Sequence, residues 1–448
     1  MKLIFFLMLI SFLAYSQSAK DLAAQAQSKN TDKKLTQQVI GELGFSKIGD
    51  DSYVKFSFGY EFSFDLIGLG VQVPLNVLLY CGDDNGCDDK TWYRIRKDDW
   101  NELSDWLTIV RYFRYGHKFD EKNMFYARFG DLGSAYIGHA TIVSNYLNTI
   151  SWNQFKPGLQ FDLYTPWGGF ETIADDISKP GLMGLRLFIR PLSFVFGSKN
   201  YFSNFALGAS VIGDIKAKHK VLPENESDKP SVVNKNLLFY AFDAEFKIFR
   251  NKYITILPYT DFNFIKNAGH GFHFGIDTRL HIPLSGAYFR FKPEYRMLGD
   301  KYMPTYFDSM YMVSNEAFKY DKLKEEKAKN GYYVELGYDQ YLLNSLLFNI
   351  KGTYEDYEGK NNSSVLLYAS VPLLDSFSFS AIYSKVNFDK FLDALDLKDA
   401  LFILEANILI YNPLSLKLQY ERTWYEDENG ELQYDSSWNF GFYIAFNF

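Results

Sequence analysis

The chain closes on Trp438-Asn-Phe-Gly-Phe-Tyr-Ile-Ala-Phe-Asn-Phe448. Even positions carry Trp438, Phe440, Phe442, Ile444, Phe446 and Phe448, while odd positions carry Asn439, Gly441, Tyr443, Ala445 and Asn447. Successive side chains of a strand point to opposite faces, so this stretch has one aromatic-rich apolar face and one small or polar face. The same split recurs upstream. Residues 53–64 set Val54, Phe56, Phe58, Tyr60, Phe62 and Phe64 against Lys55, Ser57, Gly59, Glu61 and Ser63. Residues 271–282 set Phe272, Phe274, Ile276, Leu280 and Ile282 against His273, Gly275, Asp277, Arg279 and His281. Residues 286–297 oppose Phe289, Phe291, Tyr295 and Met297 to Arg290, Lys292, Glu294 and Arg296, and residues 414–424 repeat the pattern with Lys417, Gln419 and Glu421 on the polar side.

A soluble barrel or sandwich would leave one of these faces in the wrong place. Burying the charged face costs several kcal/mol per unpaired charge. Lipid on the apolar side and a watery lumen on the charged side remove the conflict, and a closed barrel satisfies the backbone, which lipid cannot. Composition agrees. The chain has 448 residues, 42 Phe and 34 Tyr, with 19% aromatic residues, but a mean hydropathy of −0.20. Beyond the first twenty residues no run approaches the roughly 18 apolar residues of a spanning helix. Net charge is −7 with no basic patch, which argues against a nucleic-acid partner.

An aromatic strand that ends on Phe448 resembles the C-terminus of bacterial outer-membrane β-barrel proteins. That resemblance implies a bacterial outer-membrane location in the lipid bilayer, with the terminal strand read by the barrel-assembly machinery and closing against the first. The Lys-, Asn-, Phe- and Tyr-heavy composition with a short leader resembles spirochaete outer-membrane proteins. Lys2 followed by an apolar run to Leu13, then Ala14 and Ser16, reads as a signal peptide over residues 1–16, with cleavage after Ala19 as the alternative. Residues 17–50 are Gln-, Lys- and Ala-rich without a strand pattern and read as a flexible or partly helical periplasmic tail. They show no evident energy-coupling box or folded plug.

Nineteen segments between residues 53 and 448 have strand character. Single-chain bacterial barrels take an even number. Residues 106–115, which also read as the extension of a helix, and the short pair over 157–175 are the weakest. The expectation is an all-β fold: one antiparallel transmembrane β-barrel of 16–18 strands over residues 51–448. Counting back from a periplasmic C-terminus makes the short gaps periplasmic turns and the long ones, 80–105 and 298–330 among them, extracellular loops. The second of these either folds into the mouth or stands upright.

Chemistry-bearing candidates are few. A tight turn at Leu284-Ser285 sets Arg279 opposite Arg290, Asp277 opposite Lys292 and His273 opposite Arg296. With Arg186 and Arg190, these make Arg186, Arg190, Asp277, Arg279, Arg290, Lys292, Glu294 and Arg296 the pore-lining selectivity candidates. The competing reading has Asp243, Glu245, Asp261 and Glu294 neutralise the arginines as wall-to-wall salt bridges. The Gly-, Arg- and Asn-dense region from Phe125 to Arg190 reads as a lumen-inserted segment or as a Gly-rich bend. Cys81 and Cys87 read as one disulfide closing a small loop. The acidic run beside them lacks the distal Glu of a calcium loop, so no metal or cofactor is expected. His139, Ser144 and Asn145 invite comparison with outer-membrane phospholipases, but residues five apart lie on opposite faces of a strand. His273, Asp277 and His281 are too spread for a protease. No enzyme is expected. The function read here is a porin-like channel for passive diffusion of small hydrophilic solutes. The alternative is a surface-exposed binding or adhesion protein whose loops 80–105 and 298–330 take an extracellular ligand.

Overall fold

The computed structural model describes residues 36–48, 51–82, 95–116, 118, 124–151, 154–221, 231–316, 318–342, 345–374, 377–397, 400–426 and 432–447. Twenty strands build one antiparallel sheet that closes on itself. Five open it: β1 (Thr36–Ile48), β2 (Asp51–Phe64), β3 (Ile67–Tyr80), β4 (Val110–Tyr115) and β5 (Phe125–Gly130). Next come β6 (Gly158–Tyr164), β7 (Gly168–Ala174), β8 (Leu182–Ile189), β9 (Phe205–Val221) and β10 (Ser231–Phe246), which Phe249–Arg250 prolongs along its neighbour. Then follow β11 (Ile254–Ile265), β12 (His270–Ile282), β13 (Ala287–Leu298), β14 (Lys329–Leu342) and β15 (Ser345–Tyr357). The last five are β16 (Ser363–Leu374), β17 (Phe377–Phe388), β18 (Leu401–Tyr411), β19 (Leu414–Glu426) and β20 (Leu432–Asn447).

Closure runs from Gln38 opposite Asn447 to Phe45 opposite Phe440, whose rings lie 5.2 Å apart. It leaves no sheet edge and pairs the backbone internally, as a hydrocarbon surround demands. All nineteen strand segments read from the sequence contain a barrel strand, the pair over 157–175 included; of 106–115, Val110–Tyr115 is strand, and its first two residues end the short helix Leu103–Leu107. The count is therefore 20 rather than 16–18. The twentieth strand, β1, comes from the segment expected to be tail, so the barrel begins at Thr36 and not at residue 51. Its outward face is Val39, Gly41, Leu43 and Phe45, and the glycine with the neighbouring glutamines hides the alternation. The leader, most of the tail, Cys87 and Phe448 lie outside the described residues. Cys81 is disulfide-bonded.

The faces are as expected. Along β20, Trp438, Phe440, Phe442, Ile444 and Phe446 are exposed on the outside, while Asn439 faces in and is buried. Along β13, Phe289, Phe291, Tyr295 and Met297 face out, while Lys292, Glu294 and Arg296 face in and are at most 3% exposed. The β12–β13 register matches the predicted one, with His281 opposite Tyr288, Arg279 opposite Arg290 and His273 opposite Arg296. A cation near the middle of the outer belt has no partner within reach. Phe440→Arg is expected to cost about 2–4 kcal/mol, read as a lower urea midpoint of the refolded barrel in detergent.

Candidate functional site: a roofed, cation-rich cavity in the lumen

Two connections at the loop-rich end fold into the barrel instead of standing above it. One spans residues 131–148 after β5, and the other spans the described residues of 299–328 (299–316 and 318–328) after β13. They bind each other by backbone hydrogen bonds: Thr305 N–H to Thr141 O (2.8 Å), Phe307 N–H to Ile142 O (3.0 Å) and Ser144 N–H to Phe307 O (2.8 Å). Their apolar side chains, Leu132, Val143, Tyr146, Tyr306 and Phe307, pack on Ile173, Leu182, Ile212 and Phe239 of the wall. This is a small hydrophobic core inside an otherwise polar lumen. Of the Gly-rich region from Phe125 to Arg190, residues 131–148 are inserted, while Phe125–Gly130, Gly158–Tyr164, Gly168–Ala174 and Leu182–Ile189 are wall strands.

Glycines make the fit. A Cβ at Gly271 of β12 would lie 2.3 Å from the Tyr302 ring, so only glycine lets that ring reach the wall. There the Tyr302 hydroxyl is 2.9 Å from His273 Nε2 and accepts from Asn263 Nδ2 at 3.0 Å. Gly138 takes a left-handed φ of +55° and donates its N–H to Glu171 at 2.7 Å. Tyr311 donates to Asp214 (2.6 Å), Thr141 to Asp261 (2.6 Å), and Lys292 to the His139 carbonyl (2.6 Å). Each of these ties an inserted residue to a strand.

Under this roof lies a cavity of about 850 Å³, lined at its inner end by Ser134, Tyr136, Gly138, His139 and Ser309. Its lining holds eleven Lys or Arg against five Asp or Glu. Behind it, Asp162 and Asp243 pair with Lys118 (3.1 Å) and Arg186 (2.6 Å), and the surplus of cations persists. Arg190, Lys247 and Lys252, at the end with the short turns, make no close ion pair among the described residues, and Glu245 acts on Arg190 and Lys247 only from farther off. A chain that is acidic overall thus presents a basic chamber.

Six of the eight predicted selectivity residues line it: Arg186, Arg190, Asp277, Arg279, Arg290 and Lys292. Asp277 sits between Arg279 (2.7 Å) and Arg290 (3.1 Å) and relieves their cross-strand repulsion, and Arg290 also reaches Glu335. The predicted Asp277–Lys292 pair is not the one formed, because Asp277 is engaged by both arginines while Lys292 turns to Glu294 (3.6 Å) and the His139 carbonyl. Glu294 and Arg296 are not cavity-lining. They are paired behind the roof, where Arg296 also holds Glu355 (3.0 Å) and the Tyr357 hydroxyl (2.8 Å). Both readings of the arginines therefore apply, each at its own depth. Wall-to-wall pairs neutralise Arg186 and Arg296, while at the chamber wall Arg279 and Arg290 share Asp277 and Glu335.

The residues once compared with hydrolases have other company. Ser144 Oγ accepts from Asn145 Nδ2, His273 is buried between Glu294 and Tyr302, and His281 stacks on Tyr288 at 4.0 Å. His139, on the inserted segment rather than on a spanning strand, stacks on Tyr259 at 4.2 Å. Burial, the strongest influence on its imidazole, pulls the pKa down, yet Asp261, Asp243 and Glu245 together hold it above its ordinary value. Its role was not legible beforehand, since its partners lie on strands more than a hundred residues away.

No protein-family model matches the sequence, and no curated protein matches it. Among solved structures it is similar to the outer-membrane protein opdK of Pseudomonas aeruginosa (8% identity, 92% of this chain, 98% of that one, TM-score 0.36). It is likewise similar to a mutant ferric enterobactin receptor, PfeA, of the same organism (9%, 93% and 81%, 0.35). A third is OmpT of Vibrio cholerae, an outer membrane protein (10%, 94% and 99%, 0.29). Such scores carry no detail, and the placement follows from the barrel's own surface. A closed sheet with an apolar outside and a charged inside spans a bilayer, and in bacteria such barrels stand in the outer membrane.

The two depths differ in what a lost charge costs. Arg296→Met breaks a fully buried ion pair, leaving Glu294 with Lys292 (3.6 Å) and His273 (2.9 Å) and Glu355 without its arginine, and is expected to destabilise by roughly 3–5 kcal/mol. Arg279→Met removes a side chain 43% exposed to the cavity and is expected to cost under about 1 kcal/mol. Urea unfolding of the two refolded variants reads the difference.

Proposed function

We propose that the protein is a narrow, passive outer-membrane channel for small hydrophilic solutes that prefers anions. The observation that carries this reading is the excess of basic side chains around the cavity, eleven against five. A low-dielectric wall focuses such a field and raises the local concentration of the opposite sign. The roof favours selection over bulk flow, since residues 131–148 and the inserted part of the connection after β13 occupy lumen space above the chamber. We infer no catalytic role. The surface-platform alternative loses one of its two loops to the lumen, because residues 299–328 are folded inward. The spirochaete-type origin is part of this proposal and rests on composition and the two ends of the chain.

Planar-bilayer recording of the refolded protein tests the reading. Small discrete openings with anions more permeant than cations are expected. Arg279→Glu together with Arg290→Glu is expected to move the reversal potential toward cation preference. A barrel that passes no current would overturn the channel, and openings indifferent to both charge reversals would overturn the selectivity.

A further inference from the structure

Asp243 on β10 and Asp261 on β11 are direct cross-strand neighbours, both facing the lumen and both buried, at 7% and 3% exposure. Two like charges set opposite each other repel, and the pairing demands positive charge between them. Arg186 supplies one charge, through two hydrogen bonds to Asp243 at 2.9 and 2.6 Å. Glu245, two residues along the same face of β10, adds a third carboxylate to the group. Arg186 is also shared with Glu171 (3.1 Å), and at that spot the inserted segment brings in His139.

The imidazole meets the carboxylates at a particular spacing. His139 Nε2 lies 3.6 Å from Asp243 Oδ1 and 3.5 Å from Glu245 Oε2. Both are long for a hydrogen bond, and Nε2 is buried without a hydrogen-bond partner, as is Asp261 Oδ1. Two donor atoms sharing a tetrahedral ion at bonds of about 2.0–2.1 Å sit roughly 3.3–3.4 Å apart. The donor atoms of His139, Asp243 and Asp261 all fall within 4.8 Å of one another, a set that small side-chain movements close onto one ion.

We propose that His139, Asp243 and Asp261 bind a divalent metal ion of the zinc class in mid-lumen, with Glu245 beside the fourth position. An imidazole among carboxylates suits zinc-like ions, whereas calcium and magnesium take all-oxygen sets. Each donor is also held from behind. Arg186 hydrogen-bonds Asp243, Thr141 donates to Asp261 and itself accepts from Asn263 (3.0 Å), and Tyr259 stacks on the His139 ring. Such outer contacts orient ligands and raise affinity. The ion would rivet the inserted segment 131–148 to two wall strands, and so set how firmly the roof is held.

The test is Zn²⁺ titration by calorimetry of the full-length barrel, refolded in detergent and stripped with a chelator, with bound Co²⁺ absorption as a second readout. One ion per barrel is expected. His139→Gln and Asp261→Asn should each abolish it, and Thr141→Ala, which keeps all donors, should weaken it about tenfold. Asp88→Asn with Asp89→Asn, in the acidic loop, should leave it unchanged. Heat-modifiable migration identifies variants that have folded. Absence of binding by the folded barrel, binding that survives His139→Gln, or binding lost with the acidic loop would each overturn the proposal. Because the readout is binding in detergent, its failure is distinct from failure to conduct.

Discussion

The charges of β12 and β13 settle which way every strand faces. Asp277, Arg279, Arg290, Lys292, Glu294 and Arg296 cannot meet lipid, and the last three are at most 3% exposed, so each must find an opposite charge inside the sheet. They find it because alternation brings every second side chain to the same lumen. Once that face is inward, Phe289, Phe291, Tyr295 and Met297 are outward, and the same division propagates from strand to strand through the ladder. Closure of β1 on β20 then follows from the backbone, since an open edge in hydrocarbon leaves unpaired amides.

A wide lumen creates a second problem, and the inserted segments answer it. Twenty strands enclose more space than inward side chains fill. Residues 131–148 and 299–328 occupy part of it with a hydrophobic cluster built around Tyr306 and Phe307, which pack on Phe239 of the wall. The polar rim of that cluster engages the wall charges. The result is a lumen divided by depth: neutralised pairs around the roof, and a chamber below whose cations exceed its anions. Whatever selection the protein exerts belongs to that lower chamber.

The outward and inward faces were legible in the sequence because they depend only on period-two alternation, as in residues 286–297. The strand ladder was legible for the same reason, down to the β12–β13 register. β1 was missed because Gln37 and Gly41 dilute its apolar face while Ile40 puts an apolar residue on the other, so the alternation does not stand out. The site was half legible. Arg186, Asp277, Arg279 and Arg290 are inward residues on readable strands, so their place on the cavity followed. The partners of Asp277 and Lys292 did not, because ion pairing depends on side-chain reach and on His139, which a distant loop delivers. Nor could alternation reveal that residues 299–328 turn inward, since that is decided by the packing of Tyr302 on Gly271.

The central claim is that one face of each strand meets lipid and the other does not. Nitroxide labels placed singly from residue 436 to residue 446, in protein refolded into vesicles, report collision with oxygen dissolved in the bilayer. The account predicts a period of two, with maxima at 438, 440, 442, 444 and 446 and minima between them. A flat profile, or maxima at the odd positions, would contradict it.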